Sequence, residues 1–223
     1  ISFLIKRRIS YVVSGTFIII GLSSLFINGL NQGVDFVGGR SYVVRFEQPV
    51  SQEKIQSNLI KVLGNAEVKT FGSDNQLKIT TNYKVDTDSS DIDDEINNIL
   101  YTDLIEFMPE NIAYEDFVVN GDENKQAGIM SSIKVGPTIA DDIKKNSFYA
   151  VFGSLIIVFL YILLRFKNWQ FSLGAVSAVF HDVLVVLGIF SLTYSFMPFN
   201  MEINQAFIAA VLTVIGYSLN DTV

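Results

Sequence analysis

The residues able to do chemistry in this chain are few, and most of them stand among apolar neighbours. The last eight, "GYSLNDTV", bring Asn220, Asp221 and Thr222 directly after an apolar run from Gln205 to Leu219. A carboxyl group taken out of water can titrate in the physiological range, because burial disfavours its charged form. Asp221 would then be the smallest working part of a proton relay, with Asn220 and Thr222 as hydrogen-bond partners or as groups that hold water. If the helix stops at Val223, the same carboxylate sits near the headgroups and does nothing. A second constellation, "FHDV", places His181 and Asp182 about 15 Å along a helix that enters a membrane near Phe171. An ionised Asp at that depth costs roughly 2.5–3.5 kcal/mol on insertion scales, so such groups normally face a bundle interior and have partners. Two readings stay open: the pair bonds neighbouring helices and only holds them together, or it takes part in transport. Adjacent helical residues point about 100° apart, so His181 and Asp182 are expected to serve different sites.

The remaining motifs are backbone motifs. "GVDFVGG", with Gly33, Asp35, Gly38 and Gly39, predicts a tight path from helix to strand, and Asp35 is read as a turn or cap residue. It is no nucleotide fingerprint, since no strand precedes it and no helix follows. Gly136 and Pro137 predict a turn before the second apolar block, and Thr138 with Asp141 resembles a capping box with Asp in place of Glu or Gln. The chain has no cysteine, which excludes thiolate metal sites and disulfides, and its single histidine has neither triad partners nor zinc spacing around it. No catalytic residues, metal site or cofactor are therefore expected, and the chain is not read as an enzyme.

The elements that must position these groups are membrane helices. Of 223 residues 49% are hydrophobic, and the mean hydropathy is +0.36. The apolar residues are gathered into blocks: Ile9 to Leu30 is a 22-residue stretch without a charge, and Ser147 to Leu164 another of 18. About 20 apolar residues cross a bilayer as a helix, so both are read as spans. A signal peptide would suit the leading "KRR", but the first block is long for one and no small-residue cleavage site follows. A third span is expected from Phe171 to Phe196 with Trp169 as an interfacial anchor, and a fourth from Ile203 or Gln205 onward. Lys6, Arg7, Arg8, Arg165 and Lys167 flank one side, whereas "SFMPFNMEINQ" has no base, which puts the N-terminus in the cytoplasm. Residues 31–145 carry 20 acids and 11 bases, so an acidic extracytoplasmic domain is inserted between weakly basic spans, and nucleic acid is not an expected partner. The resulting division is 1–30 for the first span with its basic flank, 31–145 for the inserted domain, and 146–223 for spans two to four.

The inserted domain reads as α+β. Ser41 to Phe46 alternates like a strand, "SQEKIQSNLIKVLG" is helical with Gly64 as its stop, and "AEVKTF" and "QLKITTN" form a hairpin through "GSDN". Asp91 to Met108 is a second helix, and "AYEDFVV" is expected to close the sheet as its fourth strand. The order β-α-β-β-α-β is that of a ferredoxin-like fold.

In series, "GVDFVGG", "VGP", "RF" followed by Trp169, "HD" and "GYSLNDTV" resemble the SecF family of protein-export membrane proteins, including the SecF half of fused SecDF chains. The resemblance implies an RND-type half of six spans with an extracytoplasmic ferredoxin-like domain after the first. It implies that Asp221 belongs to a proton path, and that two further spans follow, the fifth bearing an Arg. The missing initiator Met and these spans lead us to expect a longer parent protein. The implied activity is proton-motive-force-driven assistance to the Sec translocon in the bacterial cytoplasmic membrane. The implied partners are SecD (separate or fused), the SecYEG channel, the translocating preprotein and membrane lipid, with YidC and YajC as further candidates. Two other classes compete: an RND-type exporter of small molecules or lipids, for which one unit of about 80 residues is a small porter, and a purely structural scaffold.

Overall fold

The computed structural model describes residues 7–87, 90–110, 112–119 and 125–222, which divide into a sheet unit and a helical unit. The sheet unit comprises Gln32–Lys144 with Pro198–Asn200. Its elements are α2 (Val34–Val37), β1 (Gly39–Arg45), α3 (Gln52–Leu63), β2 (Glu67–Phe71), β3 (Ser73–Thr81), α4 (Ser90–Leu104), a 3₁₀ turn at Ile105–Phe107, α5 (Tyr114–Val118) and β4 (Gly128–Val135). The four strands lie in the order β2-β3-β1-β4, and every neighbouring pair is antiparallel. Tyr42 stands opposite Ile79 on one side and Ser132 on the other.

The helices form where the sequence gives them ends and a face. Ser51 caps α3 by accepting from the Lys54 N–H, and Gly64 stops it in the left-handed region at φ 72°. Ile55, Leu59 and Leu63 repeat at four-residue spacing along α3, as Ile92, Ile96, Leu100 and Leu104 do along α4, and all are buried. They pack with Tyr42, Val44, Val68, Leu77, Ile79 and Ile129 from the strands and with Phe46 just past β1, forming the main core of this unit, while Val34, Val135 and Ala140 make a smaller cluster.

Three expectations need correction here. "AYEDFVV" is not a strand: Tyr114–Val118 is helix α5, and the fourth strand is Gly128–Val135. Tyr114, Phe117 and Val118 fall at i, i+3 and i+4, which is helical spacing, and the buried Phe117 ring meets Tyr101 edge-on at 5.5 Å. Lys125 donates to the carbonyls of Phe117 and Val119 at 2.9 and 2.8 Å. "GSDN" is not a four-residue turn. Gly72 alone separates the strands, at φ 78°, and Asn75 pairs with Phe46 through both its backbone and its side chain, at 2.8 Å each. Thr138 is not a cap, because Pro137 already occupies the first turn of the helix that follows.

The glycine motif is steric. Gly39 has φ 131°, and a Cβ there would lie 2.6 Å from the Thr81 carbonyl oxygen. Gly33 precedes α2, Asp35 lies in its first turn, and Gly38 ends it at φ 77°. The path delivers Arg40, which is buried and donates to Asp93 at 2.5 Å and to the Tyr83 carbonyl at 3.2 Å. Lys134 reaches the other Asp93 oxygen at 2.9 Å. Partial burial pushes the Asp93 carboxyl up, but hydrogen bonds from Lys134 and Arg40, with their charges, pull it below the usual carboxylate range. Burial above all pushes the nearby Tyr42 hydroxyl up to about 12. On the outer edge of β2, the Thr70 N–H donates to Pro198 and its carbonyl accepts from Asn200, both at 3.1 Å, so a short parallel bridge covers that edge.

The helical unit contains α1 (Arg7–Ile27), most of α6 (Pro137–Phe166), α7 (Trp169–Thr193) and α8 (Gln205–Thr222). Among the described residues, α1 from Arg8 onward, α6 and α7 are long and apolar enough to cross a membrane. At 30 residues α6 is roughly 45 Å long, ten residues longer at its start than the apolar block alone predicts. α8, expected as the fourth span, is not among these three; it carries Gln205 at one end and Asn220 with Asp221 at the other. Ile157, Leu164 and Phe171 project from these helices and remain exposed, as apolar side chains on a lipid-facing surface do.

Candidate functional site

The site is built on α7, and its register is set at both ends of the helix. Lys167 ends α6 in the left-handed region at φ 53°, and Asn168 then caps α7 by accepting from the Gln170 N–H at 3.1 Å. Small residues hold α7 to α1. The two backbones meet at Gly21 and Gly188: a Cβ added to Gly188 would lie 2.7 Å from the Gly21 Cα. Three residues further on, the Ser24 and Ser191 hydroxyls are hydrogen-bonded at 2.8 Å in a buried position. Seven residues before the glycine contact, the Ser14 hydroxyl bonds His181 Nε2. All three contacts keep the same offset between the helices, so α1 and α7 run parallel with one face of each in register.

α8 closes the other side. Val179 of α7 forms a buried cluster with Val211 and Ile215 of α8, and Val151 and Leu155 of α6 pack against that cluster. The Phe190 and Phe207 rings lie 4.7 Å apart, so α7 and α8 run antiparallel. Within this apolar seam Ser218 donates its hydroxyl to Asp182 Oδ2 at 2.6 Å.

The result is one hydrogen-bonded chain across three helices: Ser14 to His181 Nε2, His181 Nδ1 to Asp182 Oδ1 at 3.0 Å, and Asp182 Oδ2 to Ser218. This corrects the expectation that His181 and Asp182 serve different sites. Their Cα–Cβ bonds diverge, but both side chains are long enough for the ring and the carboxylate to meet at 3.0 Å. With Asp182 as a carboxylate, a neutral His181 carries its proton on Nδ1, donates to Asp182 and accepts from Ser14. Each member thus touches a group that can give or take a proton, which is the connectivity a relay needs.

Asn220 and Asp221 lie in the last turn of α8, exposed, with Asp221 three residues beyond Ser218. The structure does not bring either into the chain of contacts, and the Thr222 side chain lies outside the described residues. Sequence reasoning missed Ser14 and Ser218. A hydroxyl inside an apolar block is a weak signal, and only the packing of α1 and α8 on α7 selects these two from the other serines. No group of three or more metal-ligating side chains occurs among the described residues.

Two family profiles match the chain: the SecD/SecF GG motif over residues 23–50, and the C-terminal region of protein export membrane protein SecD/SecF over residues 117–223. Protein translocase subunit SecF of Rhodothermus marinus is 38% identical over 99% of this chain. The subunit of the same name from Thermodesulfovibrio yellowstonii is 33% identical over 100%. The chain spans 65% and 66% of the lengths of these two relatives, just under two thirds. In three dimensions it is similar to the crystal structure of SecDF, a translocon-associated membrane protein from Thermus. The TM-score is 0.74 at 24% identity, over 99% of this chain and 26% of the other, a likeness of fold. With the glycine path, the apolar helices and these relatives in agreement, this chain belongs to the SecD/SecF family of protein-export membrane proteins, on its SecF side.

Proposed function

We propose that this chain is the larger part of a SecF subunit that works with SecD, drawing on the proton-motive force to help complete preprotein translocation through the SecYEG channel. In this reading it is a transport component and not an enzyme, and it lies in the bacterial inner membrane with its N-terminus cytoplasmic and its sheet unit extracytoplasmic. The strand order and antiparallel pairing of that unit support the name ferredoxin-like for its fold. YidC and YajC remain proposed neighbours.

The observation that carries the reading is the presence of hydrogen-bonded ionisable groups, His181 and Asp182, inside otherwise apolar helices. Such groups are costly in a bilayer and are placed where charge or protons move. One charge crossing the field is worth about 2.3 kcal/mol per 100 mV, enough to drive a repacking of helices when several protons pass. Asp221, with Asn220 and Thr222 beside it, is the proposed acid of the proton path. The test is Asp221→Asn in the full-length subunit, with secretion measured in the presence and absence of a proton gradient. Loss of the gradient-dependent part with normal assembly supports the reading. Unchanged secretion supports a scaffold, and extrusion of small molecules with secretion intact supports an RND-type exporter.

A further inference from the structure

Helix α1 is held to α7 by Ser14 on His181, and α8 is held to α7 by Ser218 on Asp182. The two holds share one His–Asp pair, so the state of that pair is felt by both neighbouring helices. Of the elements packed around it, α1 carries Arg7, Arg8 and Tyr11 nearer its start, and α6 has no charged residue between Lys145 and Arg165, with only Tyr149 and Tyr161 able to titrate. α8 has Tyr217, exposed, and Asp221 one turn beyond Ser218. α7 itself has no other charged side chain. His181 and Asp182 are thus the titratable pair that these contacts isolate.

We propose that His181 is a proton-carrying group of this bundle, that it passes its proton to Asp182, and that the charge on Asp182 sets the hold on Ser218 and so on the helix bearing Asp221. The inference rests on the proton-driven reading above and extends it to residues on α1 and α7. A proton added at His181 Nε2 displaces the bond from Ser14 and makes a cation that donates from both nitrogens. The Nδ1 proton then moves to Asp182 Oδ1, leaving a neutral ring with its proton on Nε2 and a neutral carboxyl. A neutral carboxyl accepts less strongly than a carboxylate, so the Ser218 hydroxyl is freed to turn toward Asp221. One proton enters at the ring and one is held at Asp182, with no other reactant.

The experiment uses membrane vesicles carrying the assembled complex with the full-length subunit, an imposed pH gradient and a pH-sensitive dye, scanned between about pH 5 and 8. His181→Gln keeps an amide able to bond Ser14 and Asp182 but cannot carry a proton, and co-purification with its partner reports assembly. It is expected to lower proton flux about a hundredfold, the range for loss of a proton-transfer group. Ser218→Ala is expected to move the midpoint of the pH profile by about one unit, the equivalent of one hydrogen bond to a charged group, and Ser218→Thr to restore it. Parental flux and pH profile in assembled His181→Gln, beside loss in Asp221→Asn, overturn this inference alone. Parental behaviour in both variants overturns the underlying reading with it.

Discussion

The contact between Gly21 and Gly188 makes a prediction that can be worked through to a number. In Gly188→Ala the new Cβ starts 2.7 Å from the Gly21 Cα. Carbon atoms rest at about 3.5–4.0 Å, so α1 and α7 must separate by about 1 Å. That stretches the Ser24–Ser191 bond from its present 2.8 Å to beyond hydrogen-bonding range and loosens Ser14 from His181. Overpacking costs about 1–3 kcal/mol, and each interhelical hydrogen bond in a membrane adds about 0.6 kcal/mol. The pairing of α1 with α7 should weaken by about 2–4 kcal/mol. Because the chain has no cysteine, Ser24→Cys with Ser191→Cys supplies a single reporter disulfide. With one of the two hydrogen bonds already replaced in that reporter, Gly188→Ala should lower the cross-linking yield at equilibrium by about tenfold or more. Gly174→Ala on the same helix is the control, since no atom lies within 4 Å of its added Cβ. Equal cross-linking in Gly188→Ala and Gly174→Ala would refute the reasoning.

Two further outcomes follow from the sheet unit. Asp93 is held below the usual carboxylate range, so its contribution to stability is complete above about pH 4 and is lost as pH falls through its folded pKa. Asp93→Asn should remove that acid-dependent loss from unfolding curves scanned downward from about pH 5. It should also cost about 1–3 kcal/mol at neutral pH, less than a fully buried pair because the Asp93 side chain is 37% exposed. Phe117→Ala empties a fully buried position and should cost about 3–5 kcal/mol, read as a lower denaturation midpoint with an unchanged denaturant slope.

The parts of the fold legible in the sequence are those decided by local physics. Four-residue apolar spacing and Gly64 mark α3, the same spacing marks α4, and uncharged blocks mark the long helices. The misread parts depend on partners far along the chain. Tyr114–Val118 is too short for its spacing to outweigh its aromatic and β-branched residue types, and it is a helix because Tyr101 of α4 receives Phe117 while Gly128–Val135 fills the place beside β1. Asn75 looks like a turn residue until Phe46 takes up its backbone and side chain. In the candidate site, His181 and Asp182 announce themselves as ionisable groups in an apolar block. Ser14 and Ser218 do not, because a serine in a span gains meaning only from the helix that packs against it.

His181 is the only histidine in the chain, so nitrogen-15 labelling of histidine reports on it alone here. Solid-state NMR of the subunit in lipid bilayers at neutral pH reads which ring nitrogen holds the proton. The hydrogen-bonded chain from Ser14 through Asp182 to Ser218 predicts the proton on Nδ1, moving in Asp182→Asn. A proton on Nε2, or a ring exchanging freely between the two forms in the parent protein, would contradict it.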